Sequence, residues 1–333
     1  MEALYYSQVN GKVRCLLCPH NCLIKEGTSG ICRVRENEGG TLYARTYGNL
    51  SALHFDPIEK KPLYHFYPGT QILSLGSVGC NMRCKCCQNW QISQAKTDDF
   101  PYENHYPVSK IVDIALSRPQ NIGVAYTYNE PAIWYEYVLD VSKAIHNAGM
   151  KNVMVSNGYI NEEPLVELFK YMDAFNIDLK AFNNEFYKNI TGAELEPVKH
   201  TLKVILRHKK HLEITNLVIP TQNDQEEEFR DMVSWISTEL GRNTVLHLSR
   251  YYPMYKMNIP STDADVLSKL YQMAKKKLNY VYVGNISLRD YQNTKCHKCH
   301  SVLIKRNGYH IETLGINQEG NCMNCGNSVI INN

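Results

Sequence analysis

The positions of the cysteines constrain this chain more than any other feature of its sequence. Twelve cysteines fall into three groups of four, within residues 15–32, 80–87 and 296–325. A disulfide framework does not normally leave a stretch as long as 88–295 without a cysteine. In the cytoplasm thiols are also kept reduced, so clustered cysteines there indicate metal ligands. The sequence therefore predicts a chain built around metal sites.

The middle group has the spacing C-x3-C-x2-C, formed by Cys80, Cys84 and Cys87. Three thiolates this close together on one loop can hold three irons of a cubane iron–sulfur cluster. Full thiolate ligation of a cubane needs four cysteines, so this spacing leaves one iron open for another ligand. A zinc site and a chance cluster are the alternatives. The remaining cysteine, Cys86, is either a small apolar filler or an alternative ligand.

Composition and charge describe an ordinary soluble globular protein. Of the 333 residues, 44% are hydrophobic and 21% are charged, and the formal net charge is +3. A net charge this small provides no broad basic surface for nucleic acid. No apolar run approaches the length of a membrane span, and the N-terminus lacks the pattern of a signal peptide. We therefore expect a cytoplasmic protein without membrane contact.

The first cysteine group supplies four thiolates with the spacing C-x2-C-x3-C-x9-C. Its members are Cys15, Cys18, Cys22 and Cys32. Gly27 and Gly30 permit the tight turns that bring the last cysteine back to the others. His20 could substitute as a ligand, but four cysteines already complete a site. Structural zinc and an auxiliary iron–sulfur cluster both fit, and so do a structural and an electron-relay role.

The last cysteine group consists of two C-x2-C knuckles. Its members are Cys296, Cys299, Cys322 and Cys325. Between the knuckles, Val302–Lys305 and Tyr309–Thr313 have the pattern of hairpin strands. This arrangement predicts a zinc ribbon, with a second auxiliary cluster as the alternative. Such ribbons also bind RNA or protein partners.

From residue 72 onward, short apolar runs alternate with helical patterns. The predicted strands are Ile72–Leu75, Gly123–Tyr126, Val153–Ser156, Ala174–Leu179, Leu212–Ile219, Val245–Leu248 and Val281–Val283. The predicted helices are Val108–Ser117, Pro131–Asn147, Glu163–Phe169, Val198–Lys209, Gln225–Leu240 and Asp263–Leu278. Such alternation implies parallel pairing through right-handed crossovers. The predicted fold class is α/β, with a full or partial (β/α) TIM-like barrel of about six or seven units.

The chain is predicted to divide into three parts. These are an N-terminal cysteine-rich lobe with a linker (1–70), the barrel (71–290) and a C-terminal zinc-ribbon-like lobe (291–333). Within the first part, Thr41–Gly48 alternates like a strand in a small hairpin. The stretch Asp56–Gly69 is rich in ionisable residues and proline, and it predicts neither helix nor strand. It is either a solvated linker or a segment that lies against the active-site mouth.

Polar residues follow the ends of the predicted strands, where the chemistry of a barrel is expected. They are Asn129 and Glu130, Ser156 and Asn157, and Asp178 and Lys180. As a structural alternative, Glu130 precedes a helix, where a carboxylate is favourable for the helix dipole alone. Asp178 and Lys180 point to the same face of a strand and could form a salt bridge.

The later strands offer weaker candidates. The fifth strand ends at Pro220–Asp224, and the sixth carries His247, Ser249 and Arg250. The arginine could meet a carboxylate through two hydrogen bonds. A histidine on a strand is more often simply packed.

The cysteine loop and the strand ends together resemble radical S-adenosylmethionine (SAM) enzymes. That family carries the same C-x3-C-x2-C spacing, although an aromatic residue usually stands where this chain has Cys86. Tyr128–Pro131 is similar to the family's Gly-Gly-Glu-Pro stretch. Ser156–Gly158 and Asp178–Lys180 are similar to the Thr-Asn-Gly and Asp-x-Lys of glycyl-radical-enzyme activases.

This resemblance implies that SAM chelates the open iron of a 4Fe-4S cluster and is cleaved to a 5′-deoxyadenosyl radical. The implied SAM contacts come from Asn129, Glu130, Ser156, Asn157, Asp178 and Lys180. The radical would then abstract hydrogen from a protein, a peptide or a small molecule.

Over nearly its whole length the chain looks like AmmeMemoRadiSam-system radical SAM enzymes, relatives of pyruvate formate-lyase activating enzymes. The segments that carry this likeness include Cys15–Arg35, Asp56–Pro68, Cys80–Ser93 and the C-terminal knuckles. The resemblance implies AMMECR-type and Memo-type partner proteins and an electron donor such as flavodoxin or ferredoxin. An RNA-modifying radical enzyme is one alternative, which the weak net charge disfavours. A non-enzymatic iron–sulfur sensor or electron carrier is the other, and it would need no SAM pocket.

Overall fold

The computed structural model describes residues 1–97, 100, 105–288 and 290–329. Its N-terminal part holds two small antiparallel sheets. Their strands are β1 (Tyr6–Val9), β2 (Lys12–Cys15) and β3 (Leu23–Ile24) in one, and β4 (Arg35–Glu38) and β5 (Thr41–Ala44) in the other. The β4–β5 pair confirms the hairpin predicted at Thr41–Gly48. Gly39 and Gly40 form its turn with φ values of 60° and 80°, which glycine adopts without strain.

An eight-stranded, mostly parallel sheet forms the centre of the described structure. Its strands are β6 (Ala52–Pro57), β7 (Gln71–Gly76), β8 (Asn121–Tyr126), β9 (Lys151–Ser156), β10 (Ala174–Asp178), β11 (His211–Val218), β12 (Val245–Arg250) and β13 (Val281–Gly284). They are hydrogen-bonded in chain order, from β6 at one edge to β13 at the other. The strands from β7 to β13 pair in parallel, as predicted, and β6 joins them antiparallel. This order is consistent with a partial TIM-like barrel.

Helices connect the parallel strands. They are α1 (Trp90–Ser93), α2 (Val108–Leu116), α3 (Tyr135–Asn147), α4 (Glu162–Leu168), α5 (Asn184–Phe186), α6 (Leu195–Arg207), α7 (Glu226–Trp235) and α8 (Ala264–Lys275). Two predicted helices are not α-helical throughout. A 3-10 turn at Pro131–Trp134 precedes α3, and a π-helical turn at Ile236–Leu240 follows α7. Apolar periodicity does not distinguish such turns from an α-helix. Among the described residues, no helix has both the length and the apolar character needed to span a bilayer.

The stretch Asp56–Gly69 differs from its prediction. Its first two residues complete strand β6, and Ile58–Lys60 forms a 3-10 turn. Pro57 is tolerated because it ends a strand at the edge of the sheet, where a missing N–H costs little. Lys61 and His65 are 3% and 0% exposed, so the interpretation as a solvated linker is wrong. The polar composition of the stretch reflects buried ion pairs and hydrogen bonds.

A buried carboxylate, Glu213 on β11, ties this stretch to the sheet. It accepts hydrogen bonds from Tyr64 N at 2.9 Å and His65 N at 2.7 Å, and His247 Nε2 lies 2.6 Å from it. Burial acts to raise the pKa of Glu213, but the hydrogen bonds from His211 and His247 outweigh it and hold the pKa well below its usual range. His247, a weak site candidate, is therefore engaged in packing.

The C-terminal part folds as a small sheet beside a cysteine cluster. Its strands are β14 (Thr294–Lys295), β15 (Val302–Asn307) and β16 (His310–Thr313), and they confirm the predicted hairpin. Arg306 docks this part onto the rest by donating to Tyr64 O at 2.8 Å, and within the part it donates to Thr294 Oγ1 at 2.7 Å. Residues 330–333 of the predicted lobe 291–333 lie outside the described residues.

Candidate active site and metal centres

A cleft at the C-terminal ends of the parallel strands brings the candidate residues together. With its opening to solvent, the cleft spans about 1510 Å³. The candidates that line it are Cys80, Cys84, Cys87, Asn129, Glu130, Ser156, Asn157, Asp178 and Lys180. The carboxyl ends of parallel strands meet at one edge of a sheet, which is why residues far apart in sequence converge there.

The cluster loop (residues 79–87) follows β7 and is fixed at its start by Asn129. The Asn129 side chain accepts from Ser77 N at 3.1 Å and donates to Gly79 O at 3.0 Å. Gly79 has a φ of 82°, and a Cβ placed there would lie 2.6 Å from Cys32 O and 2.7 Å from the Val34 side chain. Only glycine fits, so the loop lies directly against the N-terminal lobe.

The middle of the cluster loop is held by backbone hydrogen bonds to the π-helical turn Tyr187–Thr191. Arg83 N donates to Thr191 O at 2.6 Å, and Lys85 N donates to Ile190 O at 3.0 Å. These bonds leave the cysteine side chains free to face the cleft. These backbone hydrogen bonds hold the middle of the loop without using the cysteine sulfurs.

The three spaced cysteines of the loop fit a cubane with one open iron. Cys80, Cys84 and Cys87 are each partly exposed and line one wall of a cleft with room for a further ligand. Burial raises the pKa of Cys80, and it raises that of Cys84 to about 12. Thiolates are the metal-binding form, so iron binding at this loop must release protons. Cys86 is buried and lines the same cleft.

Glu130, at the end of β8, is 2% exposed. It accepts hydrogen bonds from Ala132 N at 2.9 Å, Ser156 Oγ at 2.7 Å and Asn157 N at 2.8 Å. Burial raises its pKa to about 7, although these hydrogen bonds act to lower it. Glu130 therefore caps the 3-10 turn Pro131–Trp134 that follows it. A carboxylate has about four acceptor positions, so one remains for a donor in the cleft.

Ser156 and Asn157, after β9, link Glu130 to the cluster loop. Ser156 bonds Glu130, while Asn157 Nδ2 donates to Asn81 Oδ1 at 2.8 Å and lies 3.7 Å from Cys80 Sγ. The Asn157 side chain therefore supports the loop as well as lining the cleft. This supporting contact was not predicted.

Asp178 and Lys180, on β10 and just after it, form the salt bridge that was the structural alternative. Lys180 Nζ donates to Asp178 Oδ2 at 2.8 Å, and the side chains are 20% and 34% exposed, respectively. An ammonium has three donors, so Lys180 keeps two for other partners. Lys180 can therefore donate to a ligand in the cleft while its salt bridge to Asp178 stays intact.

The sequence analysis named no site role for Asp56, Lys60 or Lys61, and it named Tyr128 only as part of the Tyr128–Pro131 likeness. Lys60, Lys61 and Tyr128 line the cleft. Asp56 holds them, because it accepts from Lys60 Nζ and Lys61 Nζ at 2.8 Å each and from Tyr128 OH at 2.6 Å. For Asp56, Lys60 and Lys61, the signals in the sequence were the density of ionisable residues between Asp56 and Gly69 and the family likeness of Asp56–Pro68. This part of the stretch does lie against the cleft.

The weaker candidates on β12 have other partners. Arg250 donates to Thr262 O at 2.8 Å and to Tyr252 OH at 3.3 Å, and among the described residues it bonds no carboxylate. Ser249 lines the cleft and accepts from Asn285 Nδ2 at 2.8 Å.

The first cysteine group surrounds a cavity of its own. Cys15, Cys18, Cys22 and Cys32 line this cavity, which with its opening to solvent spans about 320 Å³. His20 lines it too, but His20 Nε2 lies 2.7 Å from Asn81 O. The four candidate ligands therefore line one cavity.

The last cysteine group forms a compact four-sulfur site. Within the described ranges, it is the one group of three or more metal-ligating side chains whose ligand atoms lie within 4.8 Å of one another. Cys296 and Cys325 have sulfurs 3.7 Å apart, and Cys299 and Cys322 have sulfurs 3.6 Å apart. A four-cysteine metal site is thus present.

The sequence profile of the radical SAM superfamily matches residues 75–233, which contain the cluster loop and strands β8 to β11. The chain belongs to the radical SAM superfamily. It is 43% identical over 334 residues to the uncharacterized protein MJ0808 of Methanocaldococcus jannaschii, covering 99% of each chain. It is 24% identical over 216 residues to the pyruvate formate-lyase-activating enzyme of Clostridium pasteurianum, covering 60% of this chain and 88% of that enzyme.

The fold of this radical SAM protein is also similar to solved structures. A radical SAM methyltransferase from Sphaerobacter thermophilus superposes with a TM-score of 0.52 at 13% identity, covering 66% of this chain and 67% of the other. At that identity the likeness concerns the fold alone.

Proposed function

We propose that this radical SAM protein reductively cleaves SAM at a 4Fe-4S cluster held by Cys80, Cys84 and Cys87. The product radical then removes a hydrogen atom from a protein, peptide or small-molecule substrate. One observation carries the proposal: the three spaced cysteines share a single cleft with Glu130 and the Asp178–Lys180 pair. A sensor or electron carrier would need no such set of acceptors and donors beside its cluster.

When bound and reduced, the cluster supplies one electron to the SAM sulfonium, which breaks a C–S bond and gives the 5′-deoxyadenosyl radical. The protein's own groups bind and orient SAM. Glu130 has one acceptor position left for the SAM ammonium. Lys180 and Asn157 can donate to the SAM carboxylate or ribose, and Asp178 keeps Lys180 in place.

The walls of the cleft protect the reacting atoms. Met82, Val155 and Leu217 line it between the polar residues, and Met82 is 1% exposed. Apolar walls limit the access of water, which reduces side reactions of a reactive intermediate. Asn129 supports this arrangement by fixing the start of the cluster loop.

We also propose the finer assignment to the AmmeMemoRadiSam-system enzymes, with activase-like chemistry in the cytoplasm. Its support is the likeness of the outer cysteine groups and of the Asp56–Pro68 stretch. AMMECR-type and Memo-type proteins are the proposed partners, and a flavodoxin or ferredoxin is the proposed electron donor. Zinc is the proposed metal at the C-terminal cysteines.

The test is SAM cleavage by the anaerobically reconstituted full chain. With dithionite as reductant, we expect 5′-deoxyadenosine by mass spectrometry, and none from the Cys84→Ala variant. Deuterium transfer from labelled candidate substrates into 5′-deoxyadenosine then identifies the hydrogen donor. Equal product from the parent and Cys84→Ala would reject the cluster assignment.

A further inference from the structure

The N-terminal cavity lies between the first lobe and the cluster loop. Apolar side chains line it together with the four cysteines. Among them are Leu17, Ile24 and Ile133, which are each 2% exposed or less. Asn81, the residue after Cys80, forms part of the wall. The cavity is therefore a mostly apolar space lined with sulfur.

The spacing of the sulfurs separates this site from the C-terminal one. A tetrahedral zinc ion with Zn–S bonds of about 2.3 Å holds its sulfurs about 3.8 Å apart. The C-terminal sulfurs match that spacing, with pairs at 3.6 and 3.7 Å. Of the four N-terminal cysteines, all within the described ranges, no three have their sulfurs within 4.8 Å of one another. They stand too far apart to surround a single zinc ion without moving.

A cubane cluster suits the wider arrangement. In it each thiolate binds a different iron at a different corner, so the four sulfurs stand farther apart than they do around one ion. The space enclosed by the cysteines then holds the iron–sulfide core.

A buried arginine beside the cysteines offers an independent indication. Arg35 lines the cavity, is 1% exposed and donates from Nη1 to Glu136 at 2.9 Å. Its Nε finds no hydrogen-bond partner among the described residues. A buried donor without an acceptor is costly. The sulfides and thiolates of a cluster are acceptors, and their negative charge suits a guanidinium.

We propose that Cys15, Cys18, Cys22 and Cys32 hold an auxiliary 4Fe-4S cluster, fully ligated by thiolates. Four cysteines leave no open iron, so this cluster does not bind SAM. It lies against the loop that carries Cys80, since Asn81, the next residue of that loop, lines the N-terminal cavity. The assignment does not depend on SAM cleavage.

The test uses the full chain in which Cys80, Cys84 and Cys87 are all replaced by alanine, reconstituted anaerobically and then treated with a chelator. We expect about four irons and about four acid-labile sulfides per chain, because one cubane remains. Sulfide is the decisive quantity, since neither zinc nor a single iron ion in the C-terminal knuckles contains it. A triple variant with no sulfide and two zinc ions per chain would overturn the proposal.

Two further measurements keep the test decisive if the triple variant misfolds. The parent chain should contain about eight sulfides, and the double variant Cys15→Ser and Cys18→Ser about four. A parent count of about four, unchanged in the double variant, would equally overturn the assignment. Loss of SAM cleavage with eight sulfides present would count against the proposed function and not against this cluster.

Discussion

The side-chain amide of Asn157 donates to Asn81 Oδ1 across 2.8 Å and thereby joins the end of β9 to the cluster loop. The same amide lies 3.7 Å from Cys80 Sγ. One residue thus connects a proposed SAM-binding strand end, a cluster ligand and the wall of the N-terminal cavity.

Replacing Asn157 with alanine should loosen the cluster loop. Asn81 loses a buried partner, which costs about 1–3 kcal/mol. We expect less iron retained after a chelator challenge and a lower midpoint of denaturation. The matched control is Asn147→Ala, at the exposed end of α3. If both variants hold iron equally, the contact does not support the loop.

Replacing Glu130 with glutamine should weaken SAM binding while the cluster stays intact. Removing one charged partner of a desolvated pair costs about 2–5 kcal/mol, or roughly 30-fold or more in Kd. Anaerobic titration calorimetry measures the change, and iron content serves as the check. The exposed Glu163→Gln on α4 is the control. Unchanged affinity would refute the role of Glu130.

The pH dependence of SAM binding should report on the same carboxylate. Burial raises the pKa of Glu130 to about 7, so the group is charged above that pH and neutral below it. An ammonium needs the charged form. SAM affinity of the parent should therefore fall as the pH drops through 7, and Glu130→Gln should lack that step. The range from about pH 6 to about pH 8 extends about one unit to either side of the pKa. SAM affinity of the parent that stays constant over this range would contradict the prediction.

Cys86 and Cys84 should differ although they are two residues apart. Cys84→Ala removes one of three cluster ligands, so iron and SAM cleavage should be lost. Cys86→Ala removes a buried side chain, and we expect iron to be retained with a modest loss of stability. Iron analysis and the yield of 5′-deoxyadenosine decide between the two roles. Loss of iron in Cys86→Ala would make Cys86 a ligand.

Asp56→Asn should destabilise the fold in a pH-dependent way. Burial alone would raise the pKa of Asp56, but hydrogen bonds from Lys60, Lys61 and Tyr128 hold it below its usual range. Its stabilisation is therefore present above about pH 4, the unfolded value, and is lost as the pH falls further. Losing the charge leaves Lys61 buried and unpaired, at about 3–5 kcal/mol. Denaturant titrations at several pH values should show the gap to the parent closing in acid, and Asp113→Asn at an exposed site should show no gap.

The cluster loop could be predicted because its three candidate ligands lie close together in the sequence. Three cysteines within eight positions define the ligand set whatever the rest of the chain does. The parallel strands could be predicted as well, since β8 to β12 are apolar runs bounded by helical patterns. Their order along the chain is their order in the sheet.

Other features depend on distant contacts and could not be read from the sequence. Strand β6 exists because β7 lies beside it, and its Asp-Pro ending gives no strand signal. The ionisable residues after β6 have the composition of a solvated linker. They are buried in contacts with Glu213 and Arg306, which lie far along the chain, so the sequence of the stretch alone does not reveal their burial. Asn157 was predicted as a SAM contact, but its bond to Asn81 requires two loops to meet.

The contact between Gly79 and Cys32 limits how this chain can change over evolution. The carbonyl of Cys32 occupies the place where any side chain at position 79 would stand. A substitution there would push the first lobe off the barrel and disturb both sets of cysteines at once. A chimaera that joins a first lobe and a barrel from different relatives requires glycine at this junction.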